Sequence, residues 1–210
     1  MTTTFTLLAA FGFGTLLWGL AEYLLHRFAM HALHGRGIMS REHLDHHVKA
    51  TWGWAPIGLL SWAGVLVVGA VLWFPLGWIT FDLSFGIALA LGWTVGYFFY
   101  EYQHAVAHLH GPRGRYSAWV RRHHFHHHFG HPMANHGVTY PLWDHVFGTH
   151  ESPDRVRVPR RLAPVWMLDE AGELRPELAD DYALVGASSR DERTAALDRA
   201  RAFASIAPTD

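Results

Sequence analysis

The stretch Phe74-Pro-Leu-Gly-Trp-Ile-Thr-Phe-Asp82, "FPLGWITFD", lies in the middle of an otherwise uncharged run, and its reading decides the fold. From Ala50 to Tyr100 the only charged residue is Asp82. As one helix this run would extend about 77 Å at 1.5 Å per residue, over twice a hydrocarbon core of roughly 30 Å. The segment must therefore fold back on itself. Pro75, Gly77 and the lone charge supply the turn, and the pattern predicts a helical hairpin, about Pro56 to Phe74 and about Leu83 to Tyr100.

Upstream, Phe5 to Leu25, "FTLLAAFGFGTLLWGLAEYLL", is a third candidate span. It lacks the basic start and small-residue cleavage site of a signal peptide and runs straight into a histidine motif, so it is expected to be retained. The eight basic residues among the first 150 are Arg27, Arg36, Arg41, Lys49, Arg113, Arg115, Arg121 and Arg122. All follow the first or the third span. By the positive-inside rule both basic segments face the cytoplasm, with the N-terminus and the hairpin turn outside. The expected fold is thus an all-α integral membrane bundle of about three transmembrane helices with a cytosolic helical cap. Residues 1–150 form the membrane-embedded domain, and residues 151–210, which are richer in charge, form a cytosolic tail.

Parity also returns the chain after the third span to the face it left after the first, so histidines far apart in sequence can meet. All eighteen histidines lie between His26 and His150. With no cysteine, any metal must be held by nitrogen and oxygen. No basic, aromatic-interleaved run tracks nucleic acid, and none is expected as a partner.

Four histidine groups have ligand spacing: His26 with His31, His43 with His46 and His47, His104 with His108, and the run "RHHFHHHF", Arg122 to Phe129. On an α-helix, positions i, i+3 and i+4 share one face. The i, i+5 spacing of His26 and His31 does not, so either the helix is broken there or the two serve different ions. In the run, His123, His126 and His127 fit the same spacing as His124, His127 and His128, and periodicity does not choose. Ten imidazoles exceed one ion and suit two ions of five ligands each.

Glu22, Glu42, Asp45, Glu101 and Asp144 sit in or beside these groups and are expected to partner the other ring nitrogen of ligand histidines and to supply countercharge. Glu101-Tyr-Gln-His104 also matches the ExxH of carboxylate di-iron bundles. Those need two such motifs and two further glutamates, and only one is present. Imidazole donors suit zinc, iron, copper and nickel alike. Transport would place ionisable residues along the spans, and apart from Glu22 near an end the interiors have none.

"WGLAEYLLHRFAMH" (Trp18 to His31), "HLDHH", "HAVAH", "HHFHHHF" and "NHGVTYPLWDHVFGT" (Asn135 to Thr149) resemble the fatty acid hydroxylase superfamily, over about residues 15–150. That group includes lipid 2-hydroxylases, sterol desaturases and carotenoid ring hydroxylases. The resemblance implies two iron ions held at the cytosolic ends of transmembrane helices, with dioxygen as co-substrate. It also implies hydroxylation or desaturation of a lipid such as a fatty acyl chain or sterol.

Carried over, the ligands are His26, His31, His43, His46, His47, His104, His108, His124, His127 and His128. The aromatic Phe129 after His128 matches the family's last triplet and favours the later register. Asn135 is expected to hydrogen-bond near the metals, and Asp144 to fix a partner or cap. Zinc can displace iron at imidazole sites during purification. The cytochrome b5-like domain fused to some members has no counterpart here, so electrons are expected from a separate ferredoxin, cytochrome or reductase. Carotenoid ring hydroxylation is the second reading within the family, and a non-catalytic metal-binding or transport protein the rival outside it. His34, His110, His131, His136, His145 and His150 are read as solvated or hydrogen-bonded bystanders. "RDERTAALDRARAFASI" (Arg190 to Ile206) reads as an amphipathic helix that packs on the cap or lies on the membrane.

Overall fold

The computed structural model describes residues 3–53 and 58–210. Helix α1 (Thr4–Leu24) passes into a π-helical turn, Leu25–His31, and α2 (Ile38–Lys49) follows. Helix α3 (Gly58–Val68) continues through a second π-helical turn, Gly69–Trp73, into α4 (Phe74–Thr80), and α5 (Leu83–Leu109) returns. Then come α6 (Arg115–Phe129), the short α7 (Leu142–Val146), strands β1 (Val156–Pro159) and β2 (Tyr182–Val185), and α8 (Glu192–Phe203). Among the described residues, three helical stretches are long and apolar enough to cross a membrane: Thr4–His31, Gly58–Thr80 and Leu83–Leu109.

Contacts divide the chain into two compact units, Met1–Glu22 with Gly53–Tyr102, and Tyr23–Trp52 with Gln103–Asp210. In the first, the usual polarity of a folded chain is inverted. Ile79 is 83% exposed, Phe5 80% and Val71 71%, whereas Trp18, Trp93, Tyr97 and Tyr100 are buried together. Such a surface is stable only against hydrocarbon. Small residues let the helix backbones approach. A Cβ on Gly92 would collide with the carbonyl of Phe11 and one on Gly86 with that of Phe74, the close packing that joins helices where no water drives them together.

The hairpin turn differs from the sequence reading. Helix continues through Pro75 and Gly77, and the chain reverses only at Phe81–Asp82. Pro75 falls in the first turn of α4, immediately after the wide π turn, where a missing N–H is least costly. Gly77 serves contact, facing Gly86 across the hairpin. Asp82 caps α5, its Oδ1 accepting from the Phe85 N–H at 2.9 Å. The expected start of the second span at Pro56 lies outside the described residues. The third span runs nine residues beyond the expected Tyr100.

The second unit has its own core. Phe125 and Phe129, one turn apart on α6, pack with Val156, Val158, Leu162, Met167, Leu178 and Tyr182. The two strands are parallel, Val156 opposite Tyr182 and Pro159 opposite Val185, a small element that helical periodicity did not foretell.

Candidate metal centre

On α6 the two phenylalanines take one face, which leaves His124, His127 and His128 on another. The ten spaced histidines separate into two groups of five. His26, His31, His43, His47 and His127 form the first, and His46, His104, His108, His124 and His128 the second; in each, one ring nitrogen per residue lies within 4.8 Å of all the others. Helices α2 and α6 contribute to both groups, and the stacked rings of His47 and His128, 4.0 Å apart, join them.

The i, i+5 pair resolves in neither of the expected ways. The helix is unbroken and both rings serve the first group, because Leu25–His31 is π-helical, with Ala32 N–H donating to Arg27 O five residues back at 3.0 Å. The wider turn brings i and i+5 onto one face. The ambiguous run also resolves. His123 stacks on Trp119 and His150, and His126 bonds Glu151 at 2.7 Å, while His124, His127 and His128 point into the groups.

Hydrogen bonding does not account for this convergence. His43 Nε2 lies 3.1 Å from that of His26, 2.9 Å from that of His31 and 3.1 Å from that of His47. His127 Nε2 is 3.1 Å from both His31 and His47. A ring nitrogen carries either one proton or one lone pair, so His43 Nε2 can make one N–H···N bond, not three. In the second group His104 and His46 approach to 3.0 Å, and His108 and His124 to 2.9 Å.

Two nitrogens each about 2.1 Å from a common ion lie about 3.0 Å apart at right angles and about 3.4 Å apart at the tetrahedral angle. The observed spacings are those of donors that could share an ion.

The outer nitrogens support the same reading. His26 Nδ1 donates to His136 O (2.6 Å), His46 Nδ1 to Thr51 O (3.0 Å), His108 Nδ1 to Ala50 O (3.1 Å) and His127 Nδ1 to Ala134 O (2.8 Å). His31 Nδ1 donates to Ser205 Oγ (3.2 Å). Each bond puts the proton on Nδ1 and leaves the Nε2 lone pair facing inward, the arrangement a metal-ligating histidine needs. Burial, followed by the neighbouring histidines, holds His43, His47, His124, His127 and His128 well below the ordinary imidazole pKa. Burial also lowers His46 to about 4. These six rings are neutral donors at neutral pH.

The acidic candidates take separate places. Asp144 is fully buried and accepts from the His136 and Gly137 N–H groups and the Thr149 hydroxyl, each at 2.8 Å. Burial raises its pKa, and the adjacent His123 with these bonds outweighs that and leaves it lowered. It thereby fixes the loop whose His136 carbonyl holds His26. Asn135, in left-handed backbone (φ +56°), ties the same loop through His123 O, Glu151 O and the Glu151 N–H. Asp45 pairs with Arg199 at 2.5 Å, Glu42 is exposed, and Glu101 accepts from Tyr97 at 2.7 Å. Glu22 is buried.

His136 departs from expectation. It is fully buried, its ring 5.4 Å from that of His26, and neither of its ring nitrogens has a hydrogen-bond partner among the described residues. Its place directly after Asn135, in the stretch that carries the Asp144 loop, was the available signal.

The fatty acid hydroxylase family model matches residues 11–149. Human fatty acid 2-hydroxylase is 33% identical over 146 residues, covering 66% of this chain and 38% of that protein. A dihydroceramide fatty acyl 2-hydroxylase of Arabidopsis thaliana is 30% identical over 141 residues, covering 65% of this chain and 58% of its own length. The chain thus spans well under two thirds of these relatives. A solved structure of full-length scs7p, in which only the hydroxylase domain is visible, superposes with a TM-score of 0.54 at 26% identity, over 73% of this chain and 59% of that one.

Proposed function

The chain belongs to the fatty acid hydroxylase family, and from that premise we propose that it is a membrane-bound di-iron oxygenase that hydroxylates a lipid acyl chain. The observation that carries the proposal is the pair of five-imidazole groups, five of whose rings make outer Nδ1 bonds that turn the Nε2 lone pair inward. Neutral imidazole donors suit iron as they suit zinc or copper, and iron is the metal that the resemblance to the family implies. His26, His31, His43, His47 and His127 hold one ion, and His46, His104, His108, His124 and His128 the other. When bound, two irons supply the redox chemistry: dioxygen, two electrons and two protons convert a C–H bond into C–OH and release one water.

The chain's own residues supply position and dryness. Ala50, Thr51, Ala134 and His136 orient four ligand rings through their carbonyls, and Asp144 and Asn135 fix the loop behind two of them. His104 and His108 stand at the end of a helix long and apolar enough to cross a membrane, so an acyl chain can reach them while its head group stays at the interface. Residues 1–150 form the catalytic membrane domain, and residues 151–210 its cap. The metal-bearing side faces the cytoplasm with the N-terminus outside, as the basic residues imply. A separate ferredoxin, cytochrome or reductase delivers the electrons. The names of the relatives favour 2-hydroxylation of fatty acyl groups over carotenoid ring hydroxylation.

The test is expression with an electron donor, with and without His127→Ala, followed by lipid mass spectrometry. A product 16 Da heavier, from one added oxygen, is expected with the wild-type chain and not with the variant. Identical lipid profiles in cells whose chain is loaded with iron would overturn the activity.

A further inference from the structure

We propose that Ser205 is a positioning residue of the metal centre, and that the segment around α8 is a latch that carries it there. The inference rests on the metal-centre reading above.

Of the five ring Nδ1 bonds described, four end on backbone carbonyls within the family-matched part of the chain. The fifth ends on a side chain far beyond it. Ser205 Oγ accepts from His31 Nδ1 at 3.2 Å and donates to His31 O at 3.2 Å, so one hydroxyl grips ring and backbone of the same residue. With its own proton committed to the carbonyl, that oxygen can only accept from the ring. His31 is thereby held with its proton on Nδ1 and its Nε2 lone pair toward His43 and His127.

The backbone at Ser205 shows what holds it there. Its φ is +54°, a left-handed position just past the end of α8 where glycine is the usual occupant. Serine at this strained position is explained by its hydroxyl.

The latch is anchored on several sides. Arg161 makes a two-pronged pair with Asp198 of α8 at 2.7 and 3.0 Å, both side chains almost fully buried, and also donates to Thr209 O at 2.9 Å. Arg199 pairs with Asp45, and Arg190 donates to Val48 O at 3.2 Å; both partners lie on α2 among His43, His46 and His47. The Phe203 ring fills the space beside Gly35 where a Cβ would sit. A small cavity beside His47 and His128, one from each histidine group, is also lined by Leu162 and, from this segment, by Asp198, Ala202, Ile206 and Pro208. The segment thus covers the junction of both groups while reaching one ligand directly.

The experiment is competitive chelator titration of the purified full chain loaded with iron or cobalt, comparing wild type, Ser205→Ala, Ser205→Gly and His127→Ala. Glycine relieves the left-handed backbone, so a purely conformational role predicts that Ser205→Gly matches or exceeds wild type. The positioning role predicts the reverse. Both Ser205 variants should bind one of the two ions about 10- to 100-fold more weakly, the usual cost of removing a hydrogen-bond partner from a ligand histidine. The other ion should be held as in wild type. Wild-type affinity for both ions in Ser205→Gly, with one ion lost in His127→Ala, would overturn the latch and leave the metal centre standing. Failure of the wild-type chain to take up two ions would remove both.

Discussion

At the scale of single residues, the site works by keeping proton acceptors neutral in a dry place. His43, His47, His124, His127 and His128 all have imidazole pKa values pressed well below 6.5 by burial, and His46 lies at about 4. Between those values and 6.5 the unfolded chain binds more protons than the folded one, so stability is full above about pH 6.5 and falls as the pH drops. Each such histidine contributes up to about 1.4 kcal/mol per pH unit across that window. For the metal-stripped protein, the midpoint of thermal unfolding should drop steeply between about pH 6.5 and 5; a flat profile would mean the rings are not buried as described. The two HxxHH triplets were legible in the sequence because α-helical periodicity alone puts them on one face. The role of Ser205 was not, since no spacing links it to His31. His136 was misjudged because its ring is covered by rings from other elements, those of Tyr23, His26, His31 and His127, which no spacing around it announces.

Between elements, the decisive features are departures from the plain α-helix. The π turn at Leu25–His31 turns an i, i+5 pair into neighbours, and the one at Gly69–Trp73 lets the second span carry Pro75. Neither has a periodic signature, so the sequence revealed that His26 and His31 needed an explanation without supplying it. Glycine contacts are the other device. Gly92→Ala drives a methyl into the Phe11 carbonyl of the packed helix, whereas Gly64→Ala meets nothing within 4 Å. In detergent, Gly92→Ala should lose about 1–3 kcal/mol of stability and several degrees of melting temperature. Gly64→Ala, in the interior of α3, should be neutral or slightly stabilising. Equal melting temperatures for the two would contradict the close backbone approach.

For the whole molecule, the helical class and the three spans followed from hydropathy, because a 51-residue apolar run cannot cross once. The parallel strand pair and the latch lay beyond that reading, since they depend on contacts far apart in the chain. Orientation is tested with the absence of native cysteine as an asset: single cysteines at Asp82 and at Gly37 can be probed with a membrane-impermeant thiol reagent. Labelling of the hairpin-turn position from outside intact cells is expected, with the Gly37 position labelled only after lysis. The opposite pattern would invert the topology.

The central claim, that ten histidines hold two ions as five and five, is tested most directly by counting tightly bound transition metal per chain in wild type and in His46→Ala, His108→Ala and His150→Ala. Two ions are expected in wild type and in His150→Ala, and about one or fewer in the other two, whose rings belong to the second group. Equal metal content in all four would contradict it.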